Sequence, residues 1–330
     1  MNQKIVVSQI GESFRDCTQL IEEAVVEPAP TQVRIRNHFA GVNGIYDQML
    51  CANRVELTHV VPPVDAGVEA IGVVEKIGSE VDALKVGDPV ATVGAGYCLY
   101  KTCDQSKAYR VPAATPEILA LIPSGVSALI ALERIGEMGT DETVCITAAA
   151  GGFGNIATQL AVNAGNHVVA VCGSDKKARW LRELGVQRVI NYRQESLDEV
   201  LKAEYPDQIN LAMDSVAGDT FDALLLQLAP HGRLVICGQT TDRMPPQKVM
   251  AERVYTRLYW KAASVRGFLN MRFTEYAADA RERLIGMTER GEITPLMDTT
   301  RFSGLGQAAD AGEHLLAGAN MGKVILDLRV

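Results

Sequence analysis

The chain has 330 residues, 47% of them hydrophobic and 22% charged, which is enough apolar material for two cores. Its net charge of -8 argues against nucleic acid or an anionic membrane surface as the main partner. The opening segment MNQKIVVSQIGESF holds too short an apolar stretch for a signal peptide, and no apolar run approaches the length of a bilayer span, so a cytoplasmic protein without membrane partners is expected.

In chain order, residues 31–43 (TQVRIRNHFAGVN) alternate as a strand does, and 67–93 read as several β runs broken by glycines and the turn KVGDPV. No long stretch of the first third has helical period, so a β-rich domain is expected there. From about residue 120 the texture changes. Residues 124–138 (SGVSALIALERIGEM) read as an amphipathic helix. Strand candidates then follow at 143–149, 167–173, 188–192, 209–216 and 233–238, with helix candidates between them at 155–165, 175–185, 196–205 and 219–229. Gly165, Gly185 and Gly232 stand near the joints, where a left-handed residue is useful. Such alternation implies right-handed crossovers and an α/β, doubly wound parallel sheet.

Residues 239–260 contain a Pro-Pro pair and three aromatics, and fit either a loop beside a ligand or a surface excursion. A last sheet strand is expected at 263–268 and a charged-faced helix at 274–291. A further helix at 306–318 precedes the strand GKVILDLRV, which should return to the β-rich domain and make it discontinuous. The expected domains are therefore 1–120 with 295–330, and 121–294. Seven scattered cysteines (Cys17, Cys51, Cys98, Cys103, Cys145, Cys172, Cys237) without a C-x-x-C pair point to reduced thiols and to no metal site.

The stretch TAAAGGFGNIA ends the first strand of the alternating series and opens its first helix. Gly152, Gly154 and Ala157 fit G-x-G-x-x-A, the dinucleotide fingerprint with alanine in third place. The first glycine permits a tight turn, the second lets backbone approach a pyrophosphate, and the small third residue lets the helix lie close to the strand. Gly151 and Phe153 complete the loop, and the helix start offers unpaired N–H groups and a positive dipole end. An NAD site places an acid roughly 20 residues further on. Cys172, Gly173 and Ser174 occupy that place, followed by DKK. Ser174 and Lys177 suit a 2′-phosphate, with Asp175 expected as a helix N-cap facing away, so NADP(H) is the expected cofactor.

On these and other stretches the chain resembles the medium-chain dehydrogenase/reductase superfamily, in its zinc-lacking quinone oxidoreductase and enone reductase branch. The resemblance rests on GVN at 41–43, DAGVEAIGVVEKIG at 65–78, VGDPVA at 86–91, AAAGGFG, GSDKK, LGVQRVINYR and GANMGKVIL at 318–326. TAAAGGFG, SVRGFLN and INYR are similar to the 15-oxoprostaglandin 13-reductases within that branch. The resemblance implies a Rossmann domain, a β-rich GroES-like catalytic domain, and hydride transfer from NADPH to a conjugated C=C, with quinones as the alternative acceptors. It also implies a homodimer joined near residues 263–268. Ser174, Lys177 and Tyr192 would surround the 2′-phosphate, although Tyr192 also suits a strand-end packing role. Asn43, Gly238, Phe268 and Asn270 would lie along the ribose and nicotinamide, with Asn320 and Gly322 closing the cleft.

Departures from the zinc enzymes of the superfamily carry the mechanism. Val68 precedes Glu69 where they have a metal-ligand histidine, and GVNGIYD lacks their cysteine. Without a Lewis acid, alcohol oxidation is disfavoured, whereas a conjugated acceptor delocalises the arriving charge. Tyr46 stands where related reductases often have Asp, and it could protonate an enolate; Tyr255, Tyr259 or water are rivals.

Overall fold

The alternating residues of the first third do build strands. In the computed structural model, which describes residues 1–56, 59–241 and 253–329, the chain forms two compact units, Met1–Pro123 with Met297–Val330, and Ser124–Leu296.

The first unit begins with β1 (Asn2–Val7), α1 (Phe14–Cys17), β2 (Thr18–Glu23), β3 (Gln32–Gly41), α2 (Gly44–Cys51) and β4 (Val64–Asp65). It continues with β5 (Glu69–Ile77), β6 (Pro89–Val93), β7 (Tyr100–Asp104), β8 (Ala108–Arg110) and α3 (Pro116–Ala120). β1 pairs antiparallel with β2 and β4 in a small sheet. Strand β3 carries the larger sheet, pairing antiparallel with β5 and β7. Its alternation buries Val33 and Ile35 while Arg34 and Arg36 face outward, as a one-sided strand requires. The helix α2 is a departure from the expectation of a helix-free first third. Eight residues starting at a Gly are too short to show a helical period, and α2 forms because its buried Leu50 and Cys51 join the unit's core.

The second unit opens on α4 (Val126–Ile130), and then alternates β9 (Thr143–Ile146), α5 (Gly152–Asn163), β10 (His167–Cys172), α6 (Asp175–Glu183), β11 (Arg188–Asn191) and α7 (Leu197–Glu204). It goes on through β12 (Ile209–Asp214), α8 (Asp219–Leu226), β13 (Leu228–Ile236), α9 (Tyr255–Lys261), β14 (Ser264–Gly267) and α10 (Ala277–Glu289). The sheet is parallel in the order β11-β10-β9-β12-β13-β14, the doubly wound arrangement, with the strand order reversing between β9 and β12. Ligands in such sheets bind outside the strand ends at that reversal. The buried, β-branched runs of β9 and β10 are what a sheet covered on both faces demands.

After Leu296 the chain returns to the first unit through β15 (Phe302–Ser303), α11 (Ala308–Leu316) and β16 (Ile325–Asp327). β16 pairs antiparallel with the end of β3, so the first unit is discontinuous.

Four details differ from expectation. The 124–138 helix is not amphipathic: Ala128 to Leu132 are all buried, and the helix is a core element. The helical stretch Pro116–Ile135 is long and apolar enough to cross a membrane by composition, but 67% of its most apolar window is buried, and Ile122 leaves the helical region. Gly165 and Gly185 are left-handed just past α5 and α6 as expected, yet at the third joint His231 takes positive φ instead of Gly232. Gly232 is there for space, since a Cβ would lie 2.8 Å from the Ala229 carbonyl oxygen. Of the expected 239–260 loop, residues 242–252 lie outside the described residues, and Tyr255–Lys261 are helical.

Candidate active site

In the second unit, β9 runs through Thr147 and a left-handed Ala148 into a tight turn. Gly151 is the N-cap of α5 with φ -85° and ψ -176°, and no side chain caps the helix. That distinguishes α5 from α6 and α7, whose first turns are capped by Ser174 and Ser196. The first amides of a 12-residue helix are thus left for an external acceptor, at the positive end of its dipole. A Cβ on Gly154 would lie 2.2 Å from the Ala148 carbonyl oxygen and 2.8 Å from Ala149 Cα. Gly154 is therefore demanded by the turn itself, and not only by approach to a phosphate as the fingerprint suggests. Ala157 is fully buried beneath the sheet end, as its small size requires.

Asn155, which no motif singled out, braces the turn. Its Nδ2 donates to the carbonyls of Gly151 and Gly152 at 2.8 Å each, and its Oδ1 accepts from Leu296 N at 3.0 Å. Asp214, at the end of β12, stitches the reversal point together. It accepts from Thr147 Oγ1 at 3.0 Å and from the amides of Val216 and Ala217, while Thr147 Oγ1 accepts from Ser215 N. Burial raises the Asp214 carboxyl above its ordinary pKa, against the pull of these hydrogen bonds. Gly238 lies against the same strand end, its Cβ position 3.1 Å from the Ser215 carbonyl oxygen.

Beyond β10, Ser174 is the N-cap of α6, accepting from Lys177 N at 3.3 Å. Asp175 is consequently not the cap. Its carboxylate instead accepts from Asn191 Nδ2 at 2.9 Å and from Gln194 Nε2 at 2.9 and 3.0 Å. Two side-chain amides hold that charge toward the end of β11. Tyr192 lies across Gly173, where a Cβ would come within 2.5 Å of the tyrosine Oη, and it is 56% exposed. Ser174 and Tyr192 are thus neighbours at the strand ends, with Lys177 in the first turn of α6. Phe268 follows β14, its amide bonded to Ile236 O at 2.9 Å and its ring stacked on Phe273 at 5.5 Å. Asn270 opens a short 3₁₀ turn. Tyr255 and Tyr259 are exposed on α9.

In the first unit, Asn43 precedes α2 without capping it. Its Nδ2 donates to Glu69 Oε2 at 2.7 Å, and its Oδ1 accepts from Lys323 Nζ at 3.1 Å. Lys323 Nζ lies 2.5 Å from Glu69 Oε1, with side chains 3% and 0% exposed. Burial pushes the Glu69 carboxyl above its usual pKa, while the lysine charge and the two side-chain hydrogen bonds pull it down. Sequence reading missed Lys323. The signal was a lysine in the apolar run GKVIL, since lysine is almost never buried unpaired. One turn into α2, Tyr46 is partly buried against the unit's core, and its pKa is raised by burial and then by Asp47. Asp47 is buried and accepts from Tyr97 Oη at 2.6 Å. Asn320 donates to Gly322 O at 2.9 Å, forming a tight turn in which Gly322 has φ +85°.

Family models for an alcohol dehydrogenase GroES-like domain and a zinc-binding dehydrogenase match residues 29–171 and 152–284. The sequence is 36% identical to prostaglandin reductase-3 of Mus musculus over 99% of this chain and 89% of that protein. The chain belongs to the medium-chain dehydrogenase/reductase superfamily. Within the superfamily it is 32% identical to a probable quinone oxidoreductase of Leishmania amazonensis, over 99% and 98% of the two chains. Escherichia coli quinone oxidoreductase complexed with NADPH is similar in structure, with a TM-score of 0.83 at 26% identity over 99% and 100% of the chains. The two units are thus the superfamily's GroES-like and Rossmann-like parts, and the chain is an oxidoreductase of that kind. Where zinc-dependent members of the superfamily have a ligand histidine, this chain has Val68, and among the described residues no cluster of three or more His, Cys, Asp or Glu is placed to hold a metal ion.

Proposed function

We propose that this protein is a zinc-independent reductase that uses NADPH to saturate the C=C bond of α,β-unsaturated ketones. The observation that carries the cofactor reading is the end of β10. Ser174, Lys177 in the first turn of α6 and Tyr192 across Gly173 stand there, and the Asp175 carboxylate is held by Asn191 and Gln194. The substrate class rests on the near full-length likeness to prostaglandin reductase-3.

NADPH supplies the hydride, and the chain's own residues bind and orient. The uncapped start of α5, with Gly151, Gly152, Phe153 and Gly154, would hold the pyrophosphate, and Ser174, Lys177 and Tyr192 would hold the 2′-phosphate. Gly238, Phe268 and Asn270 of the second unit would hold the nicotinamide and its ribose, and Asn43, Asn320 and Gly322 are the first unit's candidate contacts to the cofactor. Zinc independence is supported by Val68 and by Lys323, whose ammonium already neutralises the neighbouring Glu69. Hydride arriving at the β-carbon leaves an enolate, which the enzyme must only stabilise and protonate. Tyr46, three residues after Asn43 in the first turn of α2, is the first candidate donor. Tyr255 and Tyr259, exposed on α9, and water are the alternatives.

We further propose a cytoplasmic homodimer. Its support is the edge strand β14, flanked by exposed Tyr259, Trp260, Leu269 and Met271, the kind of edge that a second copy covers. A quinone acceptor is the second reading, favoured by the Leishmania amazonensis relative. Following NADPH oxidation over cyclic enones, long-chain enones and quinones, with products identified, separates the two. Enone turnover with one NADPH consumed per saturated ketone supports the proposal, and turnover of quinones alone replaces it.

A further inference from the structure

We infer that Lys323 and Glu69 are positioning residues, a buried clamp that fixes the side-chain amide of Asn43 in one orientation and so sets which atoms it presents to a bound nicotinamide. The inference rests on the proposed place of Asn43 beside the nicotinamide.

An asparagine just before a helix ordinarily accepts a hydrogen bond from the first turn. Asn43 does not. Its two amide atoms are instead held from opposite sides, Oδ1 by the Lys323 ammonium at 3.1 Å and Nδ2 by the Glu69 carboxylate at 2.7 Å. Turning the amide over would set Nδ2 against an ammonium and Oδ1 against a carboxylate. Both contacts would be repulsive, so one orientation survives. An uncharged pair could not discriminate so sharply.

The surrounding backbone is shaped around this clamp. Gly41 has no room for a side chain, since a Cβ would come within 2.0 Å of Glu69 Oε1 and 2.9 Å of Lys323 Cε. Gly96 is likewise closed, its Cβ position 2.4 Å from the Glu69 carbonyl oxygen. Three distant segments, the end of β3, the start of β5 and the approach to β16, converge on it. A buried ion pair is weak evidence for stability, because apolar residues of similar volume often serve the fold as well. What an apolar pair could not supply is the orientation of Asn43, which is only partly buried: Nδ2 donates to Glu69 and, at 3.4 Å, to the Gly41 carbonyl oxygen, so Oδ1 keeps the one lone pair left to offer outward.

The test compares Lys323→Met, Asn43→Ala, Lys323→Met with Asn43→Ala, and Glu69→Gln with Lys323→Met, reading kcat, the NADPH KM and thermal unfolding. The last variant leaves no orphaned buried charge, so it serves as the folding control. Each single substitution is expected to lower kcat about tenfold or more, as misplacement of an orienting group does. Adding Lys323→Met to Asn43→Ala should cost less than about threefold further, because the lysine acts through the asparagine. Glu69→Gln with Lys323→Met should melt near wild type and still show the kcat loss. Recovery of both stability and kcat in that variant would overturn the inference, as would losses that multiply in the Lys323–Asn43 double variant. A second readout does not depend on the acceptor. In protein labelled with ¹⁵N-asparagine, the Asn43 side-chain amide should exchange slowly in wild type and rapidly in both Lys323→Met and the charge-free variant. Equal protection in all three defeats the clamp, whereas a protected wild-type amide in a protein that reduces neither enones nor quinones defeats only the proposed reaction.

Discussion

Tyr97 donates a 2.6 Å hydrogen bond to Asp47 Oδ2, and both residues are buried in the first unit. Burial, and then the nearby Glu69, push the Asp47 carboxyl up to about 7, against the Tyr97 hydrogen bond, the Lys323 charge and a hydrogen bond within the Asn43 turn. An unfolded chain releases that proton near pH 4. Between roughly pH 4 and 7 the folded protein therefore holds a proton that the unfolded chain has lost, and stability from this group falls as pH rises through that window. The slope is at most about 1.4 kcal/mol per pH unit. Asp47→Asn keeps an acceptor for Tyr97 and removes the titration. Urea unfolding at several pH values should show a shallower fall in the variant than in wild type; equal slopes would contradict a protonated native Asp47.

The phosphate turn gives a paired prediction. Gly154→Ala forces a Cβ to 2.2 Å from the Ala148 carbonyl oxygen, and backbone cannot yield as a side chain can. It should destabilise by about 1–3 kcal/mol and abolish tight NADPH binding. Gly151→Ala meets its nearest atom at 3.1 Å and has negative φ, so the fold should survive it with little loss. Denaturation and cofactor titration of the two variants check the ranking.

At the adenosine end, Lys177→Ala should raise the NADPH KM and leave the NADH KM nearly unchanged. The loss of one charge-assisted contact is worth roughly 1.5–3 kcal/mol. Asp175→Ala should not convert the preference, because Asn191 and Gln194 hold that carboxylate. Steady-state kinetics with both cofactors decides the matter, and equal effects of Lys177→Ala on both would remove Lys177 from the phosphate site.

If Tyr46 protonates the enolate, Tyr46→Phe should lower kcat by about 10²–10⁴-fold while NADPH affinity holds. An unchanged kcat would leave the proton to water or to Tyr255 and Tyr259.

The parallel sheet was legible because each strand-to-helix joint switches the apolar period, and because Gly152, Gly154 and Ala157 fall where the first joint requires them. α2 was hidden by its length, and the left-handed His231 by the glycine beside it. The pairing of Glu69 with Lys323 was illegible for a different reason. The two residues lie 254 positions apart in the chain, joined only when β16 pairs with β3. A lysine in an apolar run announces that it needs a partner and does not say which one. Asp175 was expected as the N-cap of α6, but Ser174 one residue earlier accepts from Lys177 N, and the Asp175 carboxylate is bonded by Asn191 and Gln194 instead.

The central claim is hydride delivery to a conjugated carbon, and isotope placement tests it most directly. The protein is supplied with NADPH deuterated at C4 and an α,β-unsaturated ketone, and the product is read by NMR and mass spectrometry. The account predicts a saturated ketone with one deuterium at the β-carbon and a solvent proton at the α-carbon. Deuterium at the carbonyl carbon of an alcohol, or deuteride consumed only when a quinone replaces the enone, would contradict it.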